Sequence, residues 1–164
     1  MRIFSLLASI AIATFAVPSI EVLPFARSSA WAANFSSING SWKGSGRLRL
    51  DDGSSEVLRC LAYYNPKDGG QKLGMAVRCA STSYKFEFRS QLSLDGQRVT
   101  GSWEERNFNA EGEISGTFKP GVISLTATGG IETAMDVTYS DTMQEVKMTG
   151  AFGTFKGMTL SFTK

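Results

Sequence analysis

Apolar and polar side chains alternate along most of the chain after residue 40. The clearest run covers residues 84–94, where every even position is apolar except Ser90 and every odd position is polar or charged. A period of two is typical of a β-strand with one face in a core and the other in water. Shorter runs of the same kind cover residues 42–50, 73–79, 123–127, 131–139 and 158–162. The pattern predicts strands and offers no convincing amphipathic helix after residue 33.

Short turn-forming segments separate these runs. Glycine beside aspartate, proline or a second glycine bends the chain tightly. The segments are Asp52-Gly53, Asp68-Gly69-Gly70, Asp95-Gly96, Pro120-Gly121, Gly129-Gly130 and Ser140-Asp141. Turns this short connect antiparallel neighbours, and closing the sheet would remove its exposed edges. We therefore predict an all-β fold: a single antiparallel up-and-down β-barrel, or a strongly curled sandwich, of about 8–10 strands.

The two cysteines of the chain flank the glycine pair at 69–70. A turn centred on this pair places Cys60 directly opposite Cys79 and Ala62 opposite Val77. We predict a cross-strand disulfide, which in the chain-entropy model contributes roughly 3 kcal/mol for a loop of this size. A redox pair or a metal site is the alternative, and two cysteines without any histidine suit both poorly.

Two further turns predict strand registers. A three-residue loop at 52–54 and a two-residue loop at 95–96 would each bring apolar side chains opposite one another. The predicted pairs are Trp42 with Tyr64, Leu48 with Leu58, Leu92 with Val99 and Phe88 with Trp103. Both registers agree with the inward faces of the disulfide hairpin, so they support one shared core.

The register of the first hairpin also gathers arginines on its outer face. Arg47 would face Arg59, and Arg78 would lie diagonally from Arg59 on the third strand. Like charges directly opposite each other are unfavourable, so a bound phosphate or carboxylate would explain their presence. The alternative interpretation is three solvated arginines that spread apart.

The first 32 residues have the organisation of an export signal. Arg2 precedes an apolar run at 3–17, and Ala30-Trp31-Ala32 has the small-residue pattern of a signal peptidase site. We predict a signal peptide at 1–32. Cleavage near Ala16 and an uncleaved anchor are the alternatives.

The remaining chain, residues 33–164, has the length of a single domain. We predict that the mature protein begins at Ala33, after cleavage behind Ala32, and that it is periplasmic or secreted. An oxidising compartment would also allow the predicted disulfide to persist.

Charge and composition argue against several function classes. The chain carries 17 Lys and Arg against 15 Asp and Glu, which argues against nucleic acid as a partner. It has no histidine, the commonest general base and metal ligand. Glu111 and Glu113 share a strand face, where a solvated acidic edge is a simpler interpretation than a glycosidase pair. A serine–lysine nucleophile stays open. We predict a protein that is not an enzyme, with no catalytic residue, cofactor or metal site.

One short pattern recurs four times: a small polar residue, glycine, a small residue and an aromatic. It occupies residues 39–42, 100–103, 115–118 and 149–152. Glycine on the same face as the aromatic leaves room for a neighbouring ring or for strong strand coiling. Gly40-Ser41-Trp42 resembles the GxW of lipocalins, and the repeated strands resemble those of avidins. The resemblance implies an up-and-down barrel that holds a small molecule in its mouth.

A second resemblance is to the small periplasmic barrel inhibitors of bacterial metalloproteases. It rests on the order Trp42, Cys60, Cys79, Trp103 behind a leader. The resemblance implies that the N-terminal segment, residues 33–38, enters a protease cleft. The chain also resembles small exported barrel proteins of bacterial envelopes without an assigned activity.

The leading functional prediction is binding of a small apolar or amphipathic envelope molecule in the barrel or at its mouth. The residues predicted to line the site are Trp42, Tyr64, Met75, Phe86, Phe88, Trp103 and Met135. The alternative is that these side chains simply fill the barrel as its core. Three other interpretations stay open: a protease inhibitor, a structural envelope protein acting through protein contacts, and an outer-membrane barrel with the apolar face turned outward. We expect no stable membrane insertion.

Overall fold

Ten antiparallel strands form a closed barrel within residues 34–164, the part of the chain that the computed structural model describes. The strands are β1 (Gly40–Leu50), β2 (Ser55–Lys67), β3 (Lys72–Ala80), β4 (Lys85–Asp95), β5 (Arg98–Glu105), β6 (Ala110–Lys119), β7 (Val122–Gly129), β8 (Glu132–Tyr139), β9 (Met143–Phe152) and β10 (Phe155–Thr163). Each strand pairs with the next along the chain, and β10 pairs with β1. The predicted up-and-down barrel is confirmed, and the curled sandwich is not formed. The predicted signal peptide and Ala33 lie outside the described residues.

Alternation along the strands separates an apolar interior from a polar exterior. Leu48, Leu58 and Phe118 have no measurable exposure, whereas the residues beside them in each strand are exposed. The apolar face therefore points into the barrel and the polar face outward.

No helix in the described part of the chain is long and apolar enough to span a membrane. The helical elements there are two short 3-10 segments, the N-terminal 3-10 helix (Phe35–Ile38) and a turn at Asp68–Gly70.

The hairpin of β2 and β3 has the predicted register. Cys60 pairs with Cys79 and Ala62 with Val77, and the two cysteines form a disulfide. The glycine pair at 69–70 takes positive φ angles of 65° and 88°, which glycine adopts without steric cost. The sequence-based argument worked here because a glycine pair placed the centre of the turn unambiguously.

The predicted register of β1 and β2 is wrong by two residues. Trp42 pairs with Ala62, and Leu48 pairs with Glu56. The loop has three residues but begins one residue earlier than predicted, at Asp51, and its third residue is Gly53 with φ 84°. A three-residue hairpin loop needs its left-handed residue in the third position, so glycine decides the register. A shift of two leaves every side chain on its predicted face.

The predicted register of β4 and β5 is also wrong by two residues. Asp95 pairs with Arg98, so the two-residue loop is Gly96-Gln97. Gly96 has φ 60° while Gln97 does not have a positive φ, as in a type II′ turn with glycine first. As a result, the predicted pairing of Phe88 with Trp103 does not form. Phe88 faces Glu105, Trp103 faces Ser90, and Leu92 faces Gly101.

The recurring glycines allow neighbouring strands to approach closely. A Cβ at Gly101 would collide with the Gln91 carbonyl oxygen, and one at Gly116 with that of Ser124. At these two positions glycine makes room for backbone rather than for a ring. The pattern therefore marks strong strand coiling in the barrel wall, one of its two predicted roles.

Candidate functional site

One end of the barrel is closed by the N-terminal 3-10 helix. Phe35 and Ile38 are buried, and the ring of Phe35 meets that of Phe118 edge-on with 4.9 Å between centroids. The indole Nε1 of Trp42 donates a hydrogen bond to the Ile38 carbonyl at 2.9 Å. We call this the helix-capped end. The inhibitor resemblance places residues 33–38 in a protease cleft, whereas in the described part, 34–38, the side chains of Phe35 and Ile38 are buried in the barrel end.

The opposite end is covered by four aromatic rings, Tyr84, Phe86, Phe108 and Phe155. Phe155 lies 4.8 Å from Tyr84 and 5.1 Å from Phe86, measured between ring centroids. Phe108 lies 5.8 Å from Phe86 and is 43% exposed. We call this the aromatic end. Phe108 stands on the β5–β6 loop, whereas the rings it contacts stand on strands or beside them.

A cavity of about 120 Å³ lies between the two ends. Its walls come from nearly every strand and are almost entirely apolar. Of the seven residues predicted to line a site, the structure places six around this cavity. They are Tyr64, Met75, Phe86, Phe88, Trp103 and Met135. Trp42 does not line it, because its ring is buried beneath the N-terminal 3-10 helix.

Four methionines line the cavity: Met75, Met135, Met148 and Met158. Met148 and Met158 pair with each other across β9 and β10 and were not among the predicted residues. The alternation of both strands is visible in the sequence. Met148 and Met158 reach the cavity that Met75 also lines only because the barrel closes.

Three polar side chains interrupt the apolar wall. The Tyr64 hydroxyl donates to Gln144 Oε1 at 3.2 Å, and Ser90 is also buried. Burial raises the pKa of the Tyr64 hydroxyl, so this group stays neutral. Among the buried side-chain nitrogen and oxygen atoms of residues 34–164, Gln144 Nε2 is the one found without a hydrogen-bond partner. Sequence reasoning missed Gln144 and Ser90, although both stand at inward positions in an alternating strand.

Glu105 is a buried acid beside the aromatic end. Its Oε2 accepts from the Phe108 backbone N–H and its Oε1 from that of Glu87, each at 2.6 Å. The Asn107 side chain also donates to Oε1, at 3.3 Å. The carboxylate does not line the cavity. Its hydrogen bond to the Phe108 backbone positions the loop that carries this ring. The adjacent Glu104 is exposed on the outer face of β5.

The three arginines predicted to form an anion patch do not form the predicted arrangement. Arg47 pairs with Val57 rather than Arg59, because of the corrected register of β1 and β2. Arg78 does lie two residues along β3 from the partner of Arg59, and its Nη2 is 3.5 Å from Glu87 Oε1. The direct opposition of like charges, which motivated the patch, is therefore absent.

Glu87 is the centre of a surface charge cluster instead. Arg89 Nη2 lies 2.9 Å and Arg106 Nη1 3.7 Å from its Oε1, in addition to Arg78. The hydrogen bond from Arg89 is the main reason that the pKa of Glu87 is held below its usual value. Arg106 Nε also lies 3.4 Å from Glu104 Oε1, so two carboxylates face three arginines in this cluster.

The described residues contain no group of three or more His, Cys, Asp or Glu side chains that could hold a metal ion. Glu111 and Glu113 are exposed on β6, where Glu111 pairs with Glu104.

Comparison with known proteins identifies the fold but no family. No protein family matches the chain, and no curated protein matches it significantly. Among solved structures, the S-type phycobiliprotein lyase CPES from Guillardia theta superposes with a TM-score of 0.58. The match covers 79% of this chain and 89% of that one, at 9% sequence identity. At this identity the likeness shows a shared barrel fold.

The comparison corrects the prediction that the protein is not an enzyme. That prediction rested on the missing histidine and on the lack of a convincing catalytic motif, and it is contradicted by a lyase with this fold. The resemblance to lipocalins and avidins is confirmed for the closed up-and-down barrel. Ten strands form it here, against about eight in lipocalins.

Proposed function

We propose that this protein binds a small, largely apolar molecule inside the barrel. The observation that carries the proposal is the cavity of about 120 Å³ lined by apolar side chains. It is close in size to an engineered apolar cavity of about 150 Å³ that stays free of water and binds benzene. The alternative, a barrel filled by its own side chains, does not account for this space.

Leaving such a space empty destabilises the fold. At about 24 cal/mol per Å³, a void of this volume costs about 3 kcal/mol. A ligand that fills it restores the missing contacts, so binding and stability are coupled.

The methionines of the wall allow the cavity to accept molecules larger than its volume at rest. An unbranched thioether side chain with three rotatable bonds repacks easily around different shapes. Met148 and Met158 also border a smaller space of about 30 Å³ that extends toward Phe155. A longer ligand would therefore extend toward the aromatic end.

Lyase-type chemistry on the bound molecule is the second candidate. The fold shared with a phycobiliprotein lyase favours this candidate. A shared fold does not identify catalytic residues, so none is assigned here. Mass spectrometry of protein and ligand after incubation tests it, since a lyase-type reaction would change the mass of one or both.

Thermal denaturation with small apolar probes tests the binding proposal. Benzene and methylcyclopentane are expected to raise the Tm of the wild-type protein. Ala127→Leu places a larger side chain in the cavity wall and is expected to abolish this rise without lowering the Tm of the free protein. Ala134→Leu, on the exposed face of the neighbouring strand, is the matched control. Equal responses of all three proteins would contradict the proposal.

We also propose that the barrel acts after export. The disulfide Cys60–Cys79 supports this, because such bonds persist in oxidising compartments. N-terminal sequencing of the processed protein should begin at Ala33 or within a residue of it. A start near Val17, or retention of Met1, would contradict the predicted cleavage site.

A further inference from the structure

The helix-capped end of the cavity contains a hydrogen-bond donor without a partner. Gln144 is 2% exposed, lines the cavity, and has no acceptor for its Nε2 group among the described residues. Buried amide groups are almost always paired, because burying an unpaired one forfeits its hydrogen bonds to water. An exception in a cavity wall marks a place where a ligand can supply the missing partner.

The orientation of this amide is held by Tyr64. The phenol donates to Gln144 Oε1 at 3.2 Å, although the two residues are 80 positions apart in the chain. Because the carbonyl half of the amide is engaged, the nitrogen half is the one available to a ligand. Burial keeps the phenol protonated, so it remains a donor at neutral pH.

The rest of the wall decides which acceptors are suitable. No Lys, Arg or other ionisable group except Tyr64 is among the described residues that line the cavity. A carboxylate would be buried there without a counter-charge, which is strongly unfavourable. A neutral carbonyl oxygen needs only a donor, and the apolar walls suit the hydrocarbon around it.

We infer that the ligand of this cavity is an apolar molecule with a neutral carbonyl group, and that its oxygen accepts a hydrogen bond from Gln144 Nε2. This inference rests on the proposed binding function. It also orients the ligand. Gln144 pairs with Phe162 and Tyr139, at the end of the barrel where Gly40 pairs with Tyr64. The carbonyl therefore lies at the helix-capped end and the hydrocarbon extends toward the aromatic end.

Two ligands of similar size test the inference: cyclopentanone, which has a carbonyl, and methylcyclopentane, which has none. Gln144→Met keeps the length of the side chain and removes the amide. We expect it to weaken cyclopentanone binding by about fivefold to tenfold, the usual value of one net hydrogen bond. Methylcyclopentane has no acceptor for the amide, so its affinity should change far less than that of cyclopentanone. Gln91→Met, on the exposed face of β4, is the matched control and should change neither affinity.

The carbonyl stretching frequency of bound cyclopentanone provides a measurement on the wild-type protein alone. A hydrogen bond lowers this frequency relative to cyclopentanone in a hydrocarbon solvent, so we expect a shift to lower frequency. This readout keeps the inference testable if Gln144→Met does not fold.

The outcomes separate the inference from the function on which it rests. An unshifted carbonyl frequency, or equal effects of Gln144→Met on both ligands, would overturn the carbonyl inference and leave apolar binding intact. Failure of both ligands to bind the wild type would overturn the binding proposal itself.

Discussion

The two ends of the barrel are closed by different means. At the helix-capped end, a segment of the chain folds into the barrel, and Phe35 is 1% exposed. At the aromatic end, rings meet across the opening, and Phe108 on a loop is 43% exposed. Local opening of a segment that is held by buried side chains and a hydrogen bond costs much free energy. Displacing an exposed loop residue costs little, because few buried contacts are lost. The aromatic end is therefore the route by which we expect a ligand to enter.

The largest expected effect is the contrast between two phenylalanine truncations. Phe35→Ala should lower the free energy of unfolding by about 3–5 kcal/mol, because it removes a fully buried ring. Phe108→Ala should lower it by about 1 kcal/mol, since much of its ring is already in water. Urea denaturation of both variants measures the difference. Similar losses would mean that the ends are equally well packed.

Glu105→Gln tests what holds the aromatic end closed. Glutamine has one carbonyl oxygen, so its amide nitrogen would face one of the two backbone N–H groups that Glu105 now binds. We expect a loss of about 2 kcal/mol in the free energy of unfolding and faster hydrogen exchange at the Phe108 amide. Glu104→Gln, on the outer face, is the control. Unchanged exchange at Phe108 would show that the carboxylate does not position the loop.

Tyr64→Phe has the smallest expected effect and concerns the helix-capped end. Burial raises the pKa of the Tyr64 hydroxyl above its ordinary value of 10.0. The unfolded chain therefore loses this proton first as pH rises. The contribution of the buried, protonated Tyr64 hydroxyl to the free energy of unfolding is complete below pH 10 and is lost progressively at higher pH.

The variant should lose about 1 kcal/mol at neutral pH, the value of one hydrogen bond, and show a weaker decline at alkaline pH. Unfolding in urea from pH 7 to 11 measures both effects, with Tyr63→Phe as the exposed control. If the free energy of unfolding of Tyr64→Phe fell at alkaline pH as steeply as that of the wild type, the fall would be due to other titrating groups.

The two register errors have one physical cause. Alternation shows which face a residue occupies, and a slip of two residues leaves that face unchanged. Apolar pairing therefore could not distinguish the predicted register of β4 and β5 from the true one. The position of Gly96 as the first loop residue decided it. Trp103 consequently faces Ser90, and Glu105 reaches the loop with Phe108.

The sequence by itself determined the local features of this protein. Alternation identified the strands and their inward faces, and the glycine pair at 69–70 determined the pairing of Cys60 with Cys79. Such features depend on neighbours along the chain or on one short hairpin, where turn geometry leaves few choices.

Tertiary structure decided how distant elements meet. The contact of Tyr64 with Gln144 requires β10 to lie between β1 and β9, so it forms only when the sheet closes. The entry of the N-terminal 3-10 helix into one end likewise depends on how much space ten closed strands leave. Barrel size and closure are set by packing and shear over the whole sheet, and no local pattern contains them.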